Sequence, residues 1–290
     1  MASYRNIEVK PVAGALGAEI SGVNLARLDA TTFAEIERAW LEYLVIFFRD
    51  QNITPEEQVG LARRFGDIHY HPFMQGLGEH PEILEIVKQE GDTRAFGQTW
   101  HTDQMFNPQP AKATILYAKE TPDVGGDTMF ANLYLAYDAL SRPMQELLAG
   151  LKTWNVGDRR RLTQAAEGMG PRAGRYAGNP TMAAKVRDPG DRPTEAAHPL
   201  IRTHPQTGRK ALYIGNHTQS LDGFNDAEAK PLVDFLKTHA VRPEFTCRFR
   251  WAVGSLAIWD NRCTQHRALN DYHGKRRRMH RITIAGDTPF

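Results

Sequence analysis

At 290 residues, 41% of them hydrophobic and 24% charged, the chain can bury a sizeable core and lies near globular averages, which excludes a disordered protein. Its 36 basic and 34 acidic side chains leave a net charge of only +2, which argues against a dedicated binder of nucleic acid. The longest purely apolar run, Leu44 to Phe48, falls far short of the roughly 20 residues that span a bilayer, and the opening MASYRNIEVK lacks the apolar centre of a signal peptide.

A soluble, cytoplasmic protein with no membrane partner is therefore expected. Cys247 and Cys263 make neither a disulfide framework nor a CxxC zinc site, so any metal must be held by histidine and carboxylate. In chain order, Thr32-x-x-Glu35 reads as a capping box, with Phe33, Ile36, Trp40 and Leu44 at helical spacing, and predicts a helix over about 32–43. Val45 to Phe48 reads as a buried strand. Thr54-Pro55-Glu56-Glu57 repeats the capping device with proline at the first helical position, predicting a helix to about Phe65. From Ile83 the pattern turns to short β segments bounded by Gly, Pro and Asp: Ile83–Val87, Ala113–Ala118, Thr128–Ala131, and a hairpin of Leu200–Thr203 with Ala211–Ile214. Phe245–Trp251, Leu256–Trp259 and Arg281–Ala285 follow, and two helical insertions are expected at about 134–150 and 226–239. Many strands with long excursions predict a mainly β, α+β chain built as an antiparallel sandwich or barrel. No linker or repeat divides it, so one domain over 1–290 is expected. Residues 155–195, with Arg159-Arg160-Arg161 and GMGPRAGRYAGNP, show little periodicity and read as a mobile lid.

The sharpest chemical feature is Trp100-His101-Thr102-Asp103, since residues two apart on an extended segment project to one side and can hold one ion together. With 11 histidines in the chain and aspartate at roughly 5% usage, about 0.6 such H-x-D triplets arise by chance, so a third ligand is needed. His266, just after the apolar strand ending at Trp259, supplies a candidate. Two histidines and one carboxylate on one face of an octahedral ion leave the other face open, as in non-haem Fe(II) oxygenases. Zinc hydrolysis with the same ligands is the alternative. His204 and His273 sit in turn-like sequence and read as solvated. In Lys275-Arg276-Arg277-Arg278-Met279-His280-Arg281, a strand would turn Arg277, Met279 and Arg281 to one side. Two arginines about 13 Å apart on that side suit two different anions.

WHTD, the GGDT at 125–128, WDNRCTQH and RRRMHRITIAGD closely resemble the taurine dioxygenase and 2,4-dichlorophenoxyacetate dioxygenase family of Fe(II)- and 2-oxoglutarate-dependent enzymes. The likeness covers nearly the whole chain, with four blocks in the same order. It implies a double-stranded β-helix, or jelly roll, with iron held by His101, Asp103 and His266. It further implies that Thr128 and Arg277 bind 2-oxoglutarate, and that Arg281 and His71 meet the anionic end of the primary substrate. The implied reaction consumes O₂ and 2-oxoglutarate, releases succinate and CO₂, and hydroxylates a small sulfonate, sulfate ester or carboxylate, whose product can then fragment. Cleavage of an aryloxyalkanoate ether is the alternative within the family, and a homodimer or homotetramer is implied. The chain departs from taurine enzymes at Phe96-Gly97-Gln98-Thr99, at Ile214-Gly215-Asn216-His217-Thr218 and near Asn155 to Arg161, so a different pocket wall is expected.

Overall fold

The computed structural model describes residues 4–157, 178–188 and 190–290. Its strands in chain order are β1 (Glu8–Pro11), β2 (Ala18–Ser21), β3 (Val45–Phe48), β4 (Ile68–His69), β5 (Leu84–Lys88), β6 (Ala113–Glu120), β7 (Thr128–Asn132), β8 (Lys152–Val156), β9 (Glu195–Pro199), β10 (Ile201–Thr203), β11 (Lys210–Leu212), β12 (Thr218–Leu221), β13 (Thr246–Phe249), β14 (Leu256–Asp260), β15 (Thr264–Ala268) and β16 (Arg277–Ile284). The helices are α1 (Ala30–Tyr43), α2 (Pro55–Phe65), α3 (Leu133–Asp138), α4 (Arg142–Leu148), α5 (Pro180–Ala183) and α6 (Asp226–His239). The core of the lid expected over 155–195, residues 158–177, lies outside the described residues, as does residue 189. Its described parts include the end of β8, the short α5 and the start of β9.

Local chemistry accounts for most helix boundaries and corrects two expectations. Thr54 caps α2 through the expected reciprocal box with Glu57. Helix α1, however, starts two residues before Thr32, because the Asp29 carboxylate accepts the Thr32 N–H at 2.7 Å. Glu35 is thereby released and instead accepts the backbone N–H groups of Arg5 and Asn6, stitching the N-terminal segment to the helix. The helix expected over 134–150 is two helices, α3 and α4. Pro143 in the first turn of α4 has no N–H to give and would clash inside a continuous helix, while Ser141 caps the restart.

An eight-stranded sheet runs β1-β2-β3-β14-β6-β16-β4, with β5 also paired to β16. All its pairs are antiparallel except β2 with β3. A three-stranded sheet, β13-β7-β15, faces it: Phe47 of β3 stacks on Phe249 of β13 at 4.0 Å, and Trp259 of β14 meets Phe130 of β7 at 5.5 Å. Alternation in β3 explains the layering, since Val45 and Phe47 enter the core between the sheets whereas Ile46 and Phe48 enter a second core under α1 and α2. Strands β8, β9 and β12 form another three-stranded sheet, and β10 pairs with β11 as the expected hairpin. The chain is a strand-rich α+β protein. Among the described residues no helix is long and apolar enough to cross a membrane.

Candidate metal centre and anion sites

His266 lies mid-strand on β15, opposite Phe130 of β7. His101 is clamped to it by a single antiparallel bridge, in which each backbone N–H donates to the other residue's carbonyl at 3.0 and 2.8 Å. Thr102 adds a bond to the Thr264 carbonyl at 2.9 Å. The WHTD segment is thus sewn to the edge of β15, and the imidazole rings of His101 and His266 lie 4.2 Å apart between centroids. Asp103 completes the group: its Oδ1 is 3.6 Å from His101 Nε2 and 3.8 Å from His266 Nε2. One donor atom from each of the three lies within 4.8 Å of the others.

Protonation favours a metal. Nδ1 of His101 lies 2.7 Å from the Thr99 carbonyl, which can only accept, so Nδ1 carries a proton and Nε2 is the nitrogen turned toward Asp103. Burial, aided by His101, holds the His266 pKa well below its usual value, so this ring is neutral. Burial alone would raise Asp103, but the Arg281 guanidinium beside it, helped by the Thr114 hydroxyl, holds the carboxyl well below the ordinary range. Two imidazoles, that of His266 neutral, and one ionised carboxylate are a fitting donor set for Fe(II). Sequence reasoning missed the residues that aim Asp103. Thr114 on β6 donates to its Oδ2 at 2.7 Å, and Asn261 donates to Thr114 at 2.9 Å. Asn261 Oδ1 also accepts from the Asp103 N–H and from Trp259 Nε1. Asn261 lies within WDNRCTQH, so that block held the signal, whereas Thr114 looks like any strand threonine.

The arginines separate as the alternation requires. On β16, Arg277, Met279 and Arg281 are 5%, 0% and 5% exposed, while Arg278 pairs outward with Glu120 and Glu85. Arg281 Nη2 lies 2.8 Å from Asp103 Oδ1, placing a guanidinium beside the centre. Arg277 is buried with Nε and Nη2 lacking a hydrogen-bond partner among the described residues, and burial lowers its pKa. Such an orphaned cation costs folding free energy and calls for an anion. Its ring neighbour is Trp251, 5.7 Å from the guanidinium carbon, whose Nε1 donates to Thr128 Oγ1 at 3.0 Å. That bond occupies an acceptor position on Thr128 and leaves its hydroxyl proton free to donate. Trp251, the last residue of an expected strand, was not singled out from sequence.

His71 borders a cleft that Arg281, His69 and Arg187 also line. Its Nδ1 accepts from the Phe73 N–H at 3.1 Å, and its carbonyl accepts from Arg187 at 2.6 Å. His69, unnoticed at the sequence level, is kept neutral: burial first, then the charges of Arg281 and Arg192, push its pKa to about 4. His273 is exposed as expected, but His204 is 1% exposed, not solvated. It accepts two backbone N–H groups at Nδ1 and therefore donates from Nε2 to Asp260 at 3.0 Å. Arg262 grips both Asp260 oxygens. This second His-Asp-Cys cluster, with Cys263, is already satisfied by its own bonds and serves as a latch that shapes the turn presenting Asn261 and His266.

Two histidines, one buried and one partly buried, with one buried carboxylate and Arg281 beside them, make the donor set of the non-haem iron oxygenase class of site. The family model described as "Taurine catabolism dioxygenase TauD, TfdA family" matches residues 8–283. An alpha-ketoglutarate-dependent sulfate ester dioxygenase of Pseudomonas putida is 35% identical over 98% of this chain and 91% of its own length. An (S)-phenoxypropionate/alpha-ketoglutarate-dioxygenase of Sphingobium herbicidovorans is 32% identical over 97% of this chain and 95% of its own. The crystal structure of a taurine dioxygenase from Burkholderia xenovorans superposes with a TM-score of 0.80 at 34% identity, covering 98% of this chain and 91% of that one. The chain belongs to the TauD, TfdA family and is an Fe(II)- and 2-oxoglutarate-dependent dioxygenase.

Proposed function

We propose that this dioxygenase hydroxylates a small organic anion, with sulfate esters first, sulfonates next and aryloxyalkanoates as the second reading. The observation that carries it is Arg281, held 2.8 Å from Asp103 on the border of the cleft shared with His69 and His71. A guanidinium there pairs with a sulfate or carboxylate and brings the adjoining C–H bonds to the metal centre. Support for the order of substrates comes from the relatives, of which one is named for sulfate esters and another for phenoxypropionate.

In this reading His101, Asp103 and His266 hold the iron. Arg277 and the Thr128 hydroxyl take the far carboxylate of 2-oxoglutarate, and Arg281 with His71 takes the substrate anion. Bound iron supplies O₂ activation, through which 2-oxoglutarate becomes succinate and CO₂ while one oxygen atom enters the substrate C–H bond. Trp251 holds the Thr128 hydroxyl in place, Thr114 and Asn261 aim Asp103, and Arg281 keeps it ionised. Hydroxylation of the carbon bearing a sulfate ester gives a hemiacetal-like adduct, which collapses to an aldehyde and free sulfate. The two facing sheets around this site are read as a double-stranded β-helix. One domain is read from the large sheet, which draws strands from residue 8 through residue 284. Following the family likeness, the assembly is read as a dimer or tetramer.

The test is a panel of alkyl sulfates, sulfonates, aryloxyalkanoates and uncharged analogues, assayed for succinate release with Fe(II), ascorbate and 2-oxoglutarate. Turnover of anions that is strongest for sulfate esters, with stoichiometric sulfate release, is expected. Equal turnover of the uncharged analogues would defeat the proposal.

A further inference from the structure

Strand β5 faces the site with Leu84, Ile86 and Lys88, each directly opposite Arg281, Met279 and Arg277 of β16. Cross-strand partners share a face of the sheet, so Lys88 belongs to the same inward row as Arg277. The first two positions of the row on β5 are apolar and the third is a lysine that is 2% exposed. Its Nζ is buried and has no hydrogen-bond partner among the described residues. The contact it does make is with the face of Tyr272, 4.6 Å from the ring centroid. Tyr272 closes the same corner as Arg277: a Cβ added to Gly126 would meet Arg277 Cδ and Tyr272 Cδ1, both at 3.3 Å. Three carboxylates act on this corner, and none is hydrogen-bonded to Lys88 or Arg277 among the described residues: Asp127 accepts from Arg248 through Oδ2 while its Oδ1 has no hydrogen-bond partner, Asp92 accepts from the Gln89 N–H, and Asp271 accepts from the Gly126 N–H and Arg248.

A buried lysine and a buried arginine opposite each other on paired strands, each with nitrogen atoms that lack hydrogen-bond partners, are costly in a folded protein unless an anion faces both. We infer that Lys88 is a second cationic contact for the far carboxylate of 2-oxoglutarate, joining Arg277 and Thr128. This rests on the assignment of Arg277 to that carboxylate. A carboxylate offers about four lone-pair positions, enough for a forked arginine, a hydroxyl and an ammonium together. The contact would favour a dicarboxylic oxo acid over a monocarboxylic one without touching the metal-binding end of the molecule.

The test measures binding of 2-oxoglutarate and of 2-oxopentanoate, which lacks the far carboxylate, to the Mn(II)-loaded protein by calorimetry. Lys88→Met is expected to weaken 2-oxoglutarate by about tenfold or more and to leave 2-oxopentanoate unchanged. The melting temperature of the variant without ligand should match or exceed the parent's, because an uncompensated buried charge has been removed. Lys88→Arg, which keeps the charge, should retain the preference for the dicarboxylate and covers the case in which the methionine variant fails to fold. Unchanged 2-oxoglutarate affinity in Lys88→Met, or equal weakening of both acids, would overturn the inference. If Arg277→Met also leaves 2-oxoglutarate affinity unchanged, the underlying assignment of this corner fails; if only Lys88→Met is silent, that assignment stands and Lys88 is structural.

Discussion

Asp103, the proposed carboxylate ligand, is set in place by residues outside the candidate metal centre. Its carboxylate accepts from Thr114, which is itself held by Asn261, which in turn is held by Trp259. Partners of this kind typically account for 10- to 100-fold in metal affinity or activity. Thr114→Val, which keeps the shape and deletes the donor, should therefore lower Fe(II) or Mn(II) affinity by roughly tenfold or more while leaving the fold intact. Metal titration against far-UV circular dichroism separates the two effects. His101→Ala or Asp103→Ala should abolish substrate-dependent succinate formation, and full activity in either would reject the ligand assignment. Arg281→Ala should act mainly on the substrate KM. Should its defect fall on 2-oxoglutarate instead, the parts given to Arg281 and Arg277 would have to be exchanged. The three candidate donors and both arginines were legible in the sequence because short motifs held them. Thr114, Trp251 and His69 were not, because each acts through a neighbour that is remote in the chain.

Among the elements, short-range chemistry placed many boundaries well. The capping box at Thr54, the run Val45–Phe48 and the capped helix α6 stand where spacing puts them. The shift in the start of α1 shows the limit, since Asp29 and Thr32 both offer a capping oxygen and the winner depends on Glu35 being taken by the N-terminal segment. Strands β8, β9 and β12 were missed because their residues carry little alternation; partners far along the chain decide their conformation. Capping and packing differ in scale. Thr54→Ala should cost about 1 kcal/mol, whereas Phe47→Ala, which removes the ring stacked on Phe249 between the sheets, should cost about 3–5 kcal/mol. Denaturant unfolding of the two variants checks the ratio.

For the molecule as a whole, several buried histidines set the response to acid. Burial lowers the pKa of His69 to about 4, helped by Arg281 and Arg192, and that of His280 to about 4, helped by Lys119. An unfolded histidine titrates near 6.5, so between about pH 6.5 and 4 the unfolded chain binds more protons than the folded one. Stability should be flat above that window and fall as pH drops through it. His280→Gln should flatten the fall when unfolding free energies are measured across the range, and an unchanged slope would show that His280 is not one of the groups responsible.

Residue type and periodicity by themselves pointed to a strand-rich chain, a candidate His-x-Asp pair and two inward arginines, which depend on spacing within a few positions, whereas the family resemblance supplied the iron and 2-oxoglutarate chemistry. Only the tertiary structure decided which groups stand without partners and which are already satisfied. His204 resembled a turn residue and is a buried latch, and Lys88, which nothing in the sequence marked, is buried opposite Arg277 with no hydrogen-bond partner for its Nζ among the described residues. The physical reason is that burial and pairing are properties of a site assembled from distant strands, and the free energy of a charge depends on that surrounding far more than on its neighbours in the chain.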